Sequence, residues 1–198
     1  MMYGDTAHSG NLYWLTNGVA DIAEWRNSLA MLLAFPGIVF YGIALFNIAV
    51  YFNAEKHRKV YRTMTAFSLT PWLCLHIFYI IILYTFSYMM NNGYSEAALP
   101  VCEAVFNHLS WVVMLSEVFM LPPFVYIFYL TVRNKTAFSK WFAFANPLII
   151  YVILYAVKSI MPDTPFRIGF TNGLMSESMI IWFALMLTQV KRSKQINV

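Results

Sequence analysis

Five long apolar stretches, separated by short polar segments, organise this chain. They cover about residues 28–52, 63–90, 104–132, 141–160 and 168–190. A helix needs roughly 20 apolar residues to cross the hydrocarbon core of a bilayer, and the stretches have about that length. Because the segments between them are too short for a second domain, the pattern predicts an all-α fold, a polytopic transmembrane helix bundle with five spans.

The composition agrees with that prediction. Hydrophobic residues make up 60% of the chain and charged residues 11%, and the mean hydropathy is +0.60. Soluble domains carry about 25% charged residues. The sequence pI near 9.0 could suggest nucleic-acid binding, but the basic residues lie in short clusters beside the apolar stretches, where they orient a membrane protein. We therefore expect no nucleic-acid partner.

The basic clusters also predict an orientation. They follow the first and third stretches and form the C-terminal tail: Lys56, Arg58, Lys59, Arg62, Arg133, Lys135, Lys140, Lys191, Arg192 and Lys194. Since basic loops face the cytoplasm, the C-terminus is expected inside and the N-terminus outside. This divides the chain into an extracytoplasmic segment 1–27, a transmembrane domain 28–190 and a basic cytoplasmic tail 191–198.

The N-terminal segment leaves two interpretations open. Leu15, Val19 and Ile22 recur at helical spacing, which predicts either a short helix on the outer membrane surface or a plain loop. The run "MMYGDTAHSG" has no basic region and no apolar core, so it is not a signal peptide. Either the first span carries an acidic tail across the membrane, or the natural protein has a further helix upstream.

Three ionisable side chains fall near the middle of three different stretches. They are His76 in the second, Glu117 in the third and Glu177 in the fifth. A charged carboxylate at the centre of a bilayer costs about 2.5–3.5 kcal/mol, so these candidate catalytic groups are expected to face inward, meet in one polar cavity and share protons. We expect Glu117 to be uncharged at pH 7 unless His76 or another cation lies within hydrogen-bond reach, because desolvation disfavours the ionised form.

Helical spacing adds candidate binding residues around these three. Side chains three or four positions apart share one helix face. The candidates for ligand binding are Trp72, Tyr79, Asn107, Ser110, Met114, Asn172 and Gly173. Each alone has a structural explanation, because polar side chains in membranes often hydrogen-bond between helices. No spacing of residues indicates a metal site, and no cofactor is expected.

Two prolines follow Glu117 in the third stretch. Proline has no N–H group, so Pro122 and Pro123 are expected to leave the carbonyl groups near Val118 and Phe119 without their helical partners. Interruptions of this kind can widen a helix bundle around a cavity.

Two runs carry a resemblance to a known family. "DIAEWRNSLAMLLAFPGIVFYGIALFNI", with Asp21, Trp25 and Arg26, and "FSKWFAFANPLIIY", with Trp141, Asn146 and Pro147, resemble a family of uncharacterised bacterial multi-pass membrane proteins, a domain of unknown function. The resemblance implies a bacterial inner-membrane location and a helix ahead of this start, but no activity. In layout alone the chain is similar to the emopamil-binding sterol isomerases, five-helix enzymes with an intramembrane pocket.

These observations lead to a functional hypothesis. The chain is expected to be an integral membrane protein that binds a membrane lipid or a lipophilic small molecule in an intramembrane pocket, with acid/base isomerase or cyclase chemistry carried by His76, Glu117 and Glu177. The ring faces of Trp72 and Tyr79 would stabilise a cationic intermediate. A proton-coupled small transporter or channel, and a non-catalytic interaction or signalling protein, are the alternatives. Each of these three hypotheses is compatible with a homo-oligomer.

Overall fold

The computed structural model describes residues 23–162, 167 and 174–196, and this part of the chain is all-helical. Its α-helices are α1 (Glu24–Asn47), α2 (Glu55–Asn91), α3 (Ser95–Val132), α4 (Pro147–Ile160) and α5 (Leu174–Ile196), with short 3-10 helices at Ile48–Tyr51 and Lys140–Ala145. Each apolar stretch therefore contributes one α-helix. The predicted surface helix of the N-terminal segment lies outside the described residues.

Helices α2 and α3 form a long hairpin that begins before the predicted spans. They contain 37 and 38 residues, which at 1.5 Å per residue makes each about 55 Å long. A tight turn joins them, in which Gly93 has a positive φ of 84° and the Tyr94 N–H donates to the Met89 carbonyl at 3.0 Å. Glycine is suited to this conformation because it has no Cβ.

The prolines of α3 do not interrupt the helix. Pro122 and Pro123 both lie inside α3, and the Ser68 hydroxyl of α2 donates to the Phe119 carbonyl. This carbonyl is the one that Pro123 deprives of its helical N–H partner, so the prediction of a freed carbonyl at Phe119 is confirmed. The freed group helps to hold α2 against α3.

The fourth apolar stretch forms two separate helical segments, although the sequence pattern predicts one span from residue 141. Pro147 starts α4 because it has no N–H to donate and favours an extended residue before it. The preceding Asn146 has a ψ of 139°, and its side-chain oxygen accepts the Leu148 N–H at 3.0 Å. Its amide nitrogen donates to the Phe124 carbonyl of α3 at 2.9 Å, so Asn146 both caps α4 and bonds it to α3.

The main core lies where the end of α1, the start of α2, the second half of α3 and helices α4 and α5 meet. Trp182 of α5 is almost completely enclosed there, and its ring meets the edge of Phe124 at 5.9 Å between centroids. The loops at this end are also joined, since Phe52 and Thr136 form an isolated antiparallel bridge. His57 and Tyr126 form a hydrogen bond of 2.8 Å between α2 and α3.

Two helical segments of the described chain are long and apolar enough to cross a membrane. They are Ser28–Tyr51 and Glu55–Asn91. Three shorter apolar segments lie at Val118–Val132, Pro147–Ile160 and Leu174–Val190. The length and composition of two helices thus give weak support for a membrane location, and they do not by themselves show five spans.

Candidate functional site

A cavity of about 280 Å³ lies between α1, α2 and α5. Its lining residues recur every three or four positions along each helix, so each helix presents one face to the cavity. They are Ala34, Gly37, Ile38 and Tyr41 of α1, Trp72, His76 and Ile80 of α2, and Ser176, Met179, Ile180 and Phe183 of α5. The volume lies close to the lower end of the range of about 300–1,000 Å³ for small-molecule sites.

Four rings form a continuous aromatic wall at one end of the cavity. Tyr41 stacks on Trp72 with 4.6 Å between ring centroids and an angle of 23° between the planes. The edge of Phe183 meets Tyr41 at 5.9 Å. Trp72 also contacts the His76 ring, with 3.9 Å between ring centroids. Flat ring faces and a mainly apolar lining favour a lipophilic ligand.

His76 contributes a polar ring to this wall, and its hydrogen bond fixes its tautomer. Nδ1 lies 2.9 Å from the backbone carbonyl oxygen of Trp72. A carbonyl can only accept, so Nδ1 carries the hydrogen and donates it. In the neutral imidazole Nε2 then has a free lone pair and acts as an acceptor. His76 therefore offers the cavity one hydrogen-bond acceptor.

The wall formed by α1 is thin and leaves space. A Cβ added at Gly37 would meet no atom within 4 Å outside its own helix backbone. The side of α1 that faces away from the cavity is exposed, with Leu32 at 68% and Val39 at 57%. The middle of α1 thus borders the cavity in part with the small residues Ala34 and Gly37 and has little packing behind it.

The structure brings together two of the sequence candidates, Trp72 and His76, in one cavity. Glu177 is half-buried beside the lining residue Ser176, and its Oε2 is enclosed with no hydrogen-bond partner in the described part of the chain. Asn107 is exposed on α3 and is not among the lining residues.

The remaining candidates lie outside the described residues or side chains. The side chains of Tyr79, Ser110, Met114 and Glu117 are not described, and neither are Asn172 and Gly173. The convergence of Glu117 with His76 therefore stays a prediction. Over the described residues, no group of three His, Cys, Asp or Glu side chains could hold a metal ion.

The sequence analysis did not find Tyr41, Gly37 and Phe183. A signal for them exists in the 3–4 spacing of the lining faces of α1 and α5. Many aromatic and small residues share such spacing in apolar helices, and spacing alone does not distinguish a cavity face from a lipid face. The contact between Tyr41 and Trp72 joins residues on different helices, which no pattern within one helix reveals.

The chain belongs to a family of unknown function, DUF6796, which matches residues 1–193. This confirms the predicted membership of an uncharacterised family. No curated protein and no solved structure matches the chain.

Proposed function

We propose that this chain is an integral membrane protein that binds a lipophilic small molecule in the cavity between α1, α2 and α5. The ligand lies against the rings of Tyr41, Trp72 and Phe183 and donates a hydrogen bond to His76. The observation that carries the proposal is His76, which lines a mainly apolar cavity and whose Nδ1 bond to Trp72 leaves Nε2 as an acceptor.

The exposed surface supports the membrane assignment. Large apolar side chains are exposed along α1, α2, α4 and α5, for example Phe67 at 72%, Val152 at 64% and Leu187 at 63%. Soluble monomers rarely expose contiguous apolar surfaces of this extent, whereas in a bilayer these side chains contact lipid. The buried polar atoms of Ser68 and Asn146 are hydrogen-bonded between helices, as a membrane interior requires.

In this proposal all five α-helices cross the membrane, with the N-terminus outside and the C-terminus in the cytoplasm. The basic start of α2 and the basic segment after α3 then lie on the cytoplasmic side, in agreement with the excess of Lys and Arg there. The Phe52–Thr136 bridge joins the loops at this end of the two helices. The short α4, with 14 residues, completes its crossing with the help of the preceding 3-10 helix, Lys140–Ala145.

The chemistry of the cavity defines the ligand class. An imidazole Nε2 with a lone pair accepts from a hydroxyl or an amino group. The aromatic faces attract flat apolar groups and, through their quadrupoles, a positive charge. We therefore expect a lipophilic alcohol or amine.

Replacement of His76 by Phe should remove the preference of the cavity for ligands that carry a hydrogen-bond donor. The packing of the ring at position 76 on Trp72 should stay intact. The probes are 1-aminoanthracene and anthracene, which differ in one amino group. We expect the ratio of their affinities to fall about threefold to tenfold in His76→Phe, the usual value of one hydrogen bond. Fluorescence titration of the purified protein in detergent measures both affinities.

The matched control is His108→Phe, because His108 is exposed on α3 and does not line the cavity. Its affinity ratio should equal that of the wild type. An unchanged ratio in His76→Phe, or no binding of either probe to the wild type, would contradict the proposal.

A further inference from the structure

Arg62 of α2 is a half-buried cation that has no acidic partner in the described part of the chain. Its Nε atom is enclosed there without a hydrogen-bond partner. Its guanidinium lies over the ring of Phe46 of α1, with 5.9 Å from the central carbon to the ring centroid. The ring face attracts the cation but does not neutralise its charge. Since charges withdrawn from water are usually paired, we expect an anion to bind here.

The carboxylate on the same part of α2 is already paired. Glu55 lies two turns before Arg62, and its Oε2 forms an ion pair of 3.6 Å with Nη1 of Arg58. The Nε atom of Arg58 donates to the Phe52 carbonyl at 2.8 Å. Lys59 is exposed and lies one turn from Arg62 on the same side of the helix. Neither Lys59 nor Arg62 forms an ion pair within the described residues, so both charges are available to a ligand.

Arg62 lies where the charged start of α2 meets its apolar stretch, which begins at about residue 63. Beyond this point exposed apolar side chains continue on both helices, Phe46 and Ile43 on α1 and Ala66 on α2. Side chains three or four positions apart share a helix face, so Ala66 continues the face of Arg62. The surface therefore changes from cationic to apolar within one helical turn, and a phospholipid changes from phosphate to acyl chain in the same direction.

We propose that Arg62 and Lys59 bind the phosphate of an anionic phospholipid in the cytoplasmic leaflet, with an acyl chain against Phe46, Ile43 and Ala66. This inference rests on the membrane location and orientation proposed above, and it concerns a surface other than the cavity. The two terminal nitrogens of Arg62 are not enclosed, and a guanidinium binds phosphate through paired N–H donors. A free phosphate ion has the same chemistry, and the experiment separates the two sources.

The test is native mass spectrometry of the full chain, released from nanodiscs with equal amounts of phosphatidylglycerol and phosphatidylcholine. Both lipids carry a phosphate, but only phosphatidylglycerol has a net charge. We expect the ratio of bound phosphatidylglycerol to bound phosphatidylcholine to fall about fivefold in Arg62→Gln, the usual effect of one basic residue near a membrane surface. Lys59→Gln changes an exposed side chain and should lower the ratio too, so it decides the question even if Arg62→Gln does not fold.

Arg133→Gln is the matched control. Arg133 also lies over a ring, that of Tyr129 at 5.8 Å, and belongs to the basic segment on the same side of the membrane, but it is exposed. Its replacement changes the net charge by the same amount, so the lipid ratio should equal that of the wild type. An equal fall in Arg133→Gln and Arg62→Gln would indicate general charge attraction and overturn the specific site.

Three further results separate this inference from the proposed function. If Arg62→Gln binds 1-aminoanthracene like the wild type but keeps the wild-type lipid ratio, the headgroup site alone is overturned. If alkaline carbonate extracts the chain from membranes, the membrane assignment fails and the inference with it. Retention of phosphatidylglycerol in millimolar inorganic phosphate supports a lipid site, whereas its displacement assigns the site to a free anion and overturns the inference.

Discussion

Replacement of Trp182 by Ala should be among the most destabilising substitutions in this chain. Trp182 is 1% exposed and meets Phe124 edge-on at the centre of the main core. Loss of a buried Trp side chain leaves a cavity and typically costs about 3–5 kcal/mol. For a chain of this length 1 kcal/mol corresponds to about 2–4 °C, so we expect the unfolding midpoint in detergent, followed by circular dichroism, to fall by at least about 6 °C.

The matched control is Trp141→Ala, because Trp141 is 81% exposed. Its unfolding midpoint should stay close to that of the wild type. A small effect of Trp182→Ala, comparable with that of Trp141→Ala, would mean that α3 and α5 do not pack through this residue.

Replacement of Gly37 by Phe should abolish ligand binding without unfolding the chain. Gly37 borders the cavity, and a side chain there meets no atom at its first carbon, so the new ring enters the space that the ligand needs. Glycine inside a helix is unfavourable by roughly 0.5–1 kcal/mol relative to Ala, so its replacement should not reduce helix stability. We expect the affinity for 1-aminoanthracene to fall at least tenfold, or about 1.4 kcal/mol.

The control for this variant is Leu32→Phe, which adds a ring to the exposed side of α1 that faces away from the cavity. Fluorescence titration should give wild-type affinity for this variant. Equal affinities in Gly37→Phe and the wild type would place the ligand somewhere other than in this cavity.

The helices could be predicted from the sequence because long apolar runs have few alternatives. The residues at which the helices begin and end were less predictable. Helix α3 begins at Ser95, well before its apolar run, because a polar first segment can continue a helix that packs on α2. The break before α4 depends on the Asn146–Phe124 contact between helices as well as on Pro147, and a contact of this kind has no signature within one segment.

The site was predicted in part for a similar reason. Trp72 and His76 are one helical turn apart, so their common face follows from spacing, and both line the cavity. Tyr41 and Phe183 complete the wall from two other helices. Their side chains resemble those of lipid-facing residues, and the packing of three helices decides which face is enclosed. Glu177 shares a helix with the lining residue Ser176 but is not among the lining residues.

Native mass spectrometry of the protein released from its own membrane shows directly whether the cavity between α1, α2 and α5 holds a ligand. We expect the wild type and Leu32→Phe to carry a lipophilic molecule with a hydroxyl or amino group, and Gly37→Phe to carry none. After the bound molecule is removed from the wild type, a lipid extract from the same cells should restore it. A bound molecule at equal occupancy in Gly37→Phe, or a wild type that binds nothing from the extract, would contradict ligand binding in this cavity.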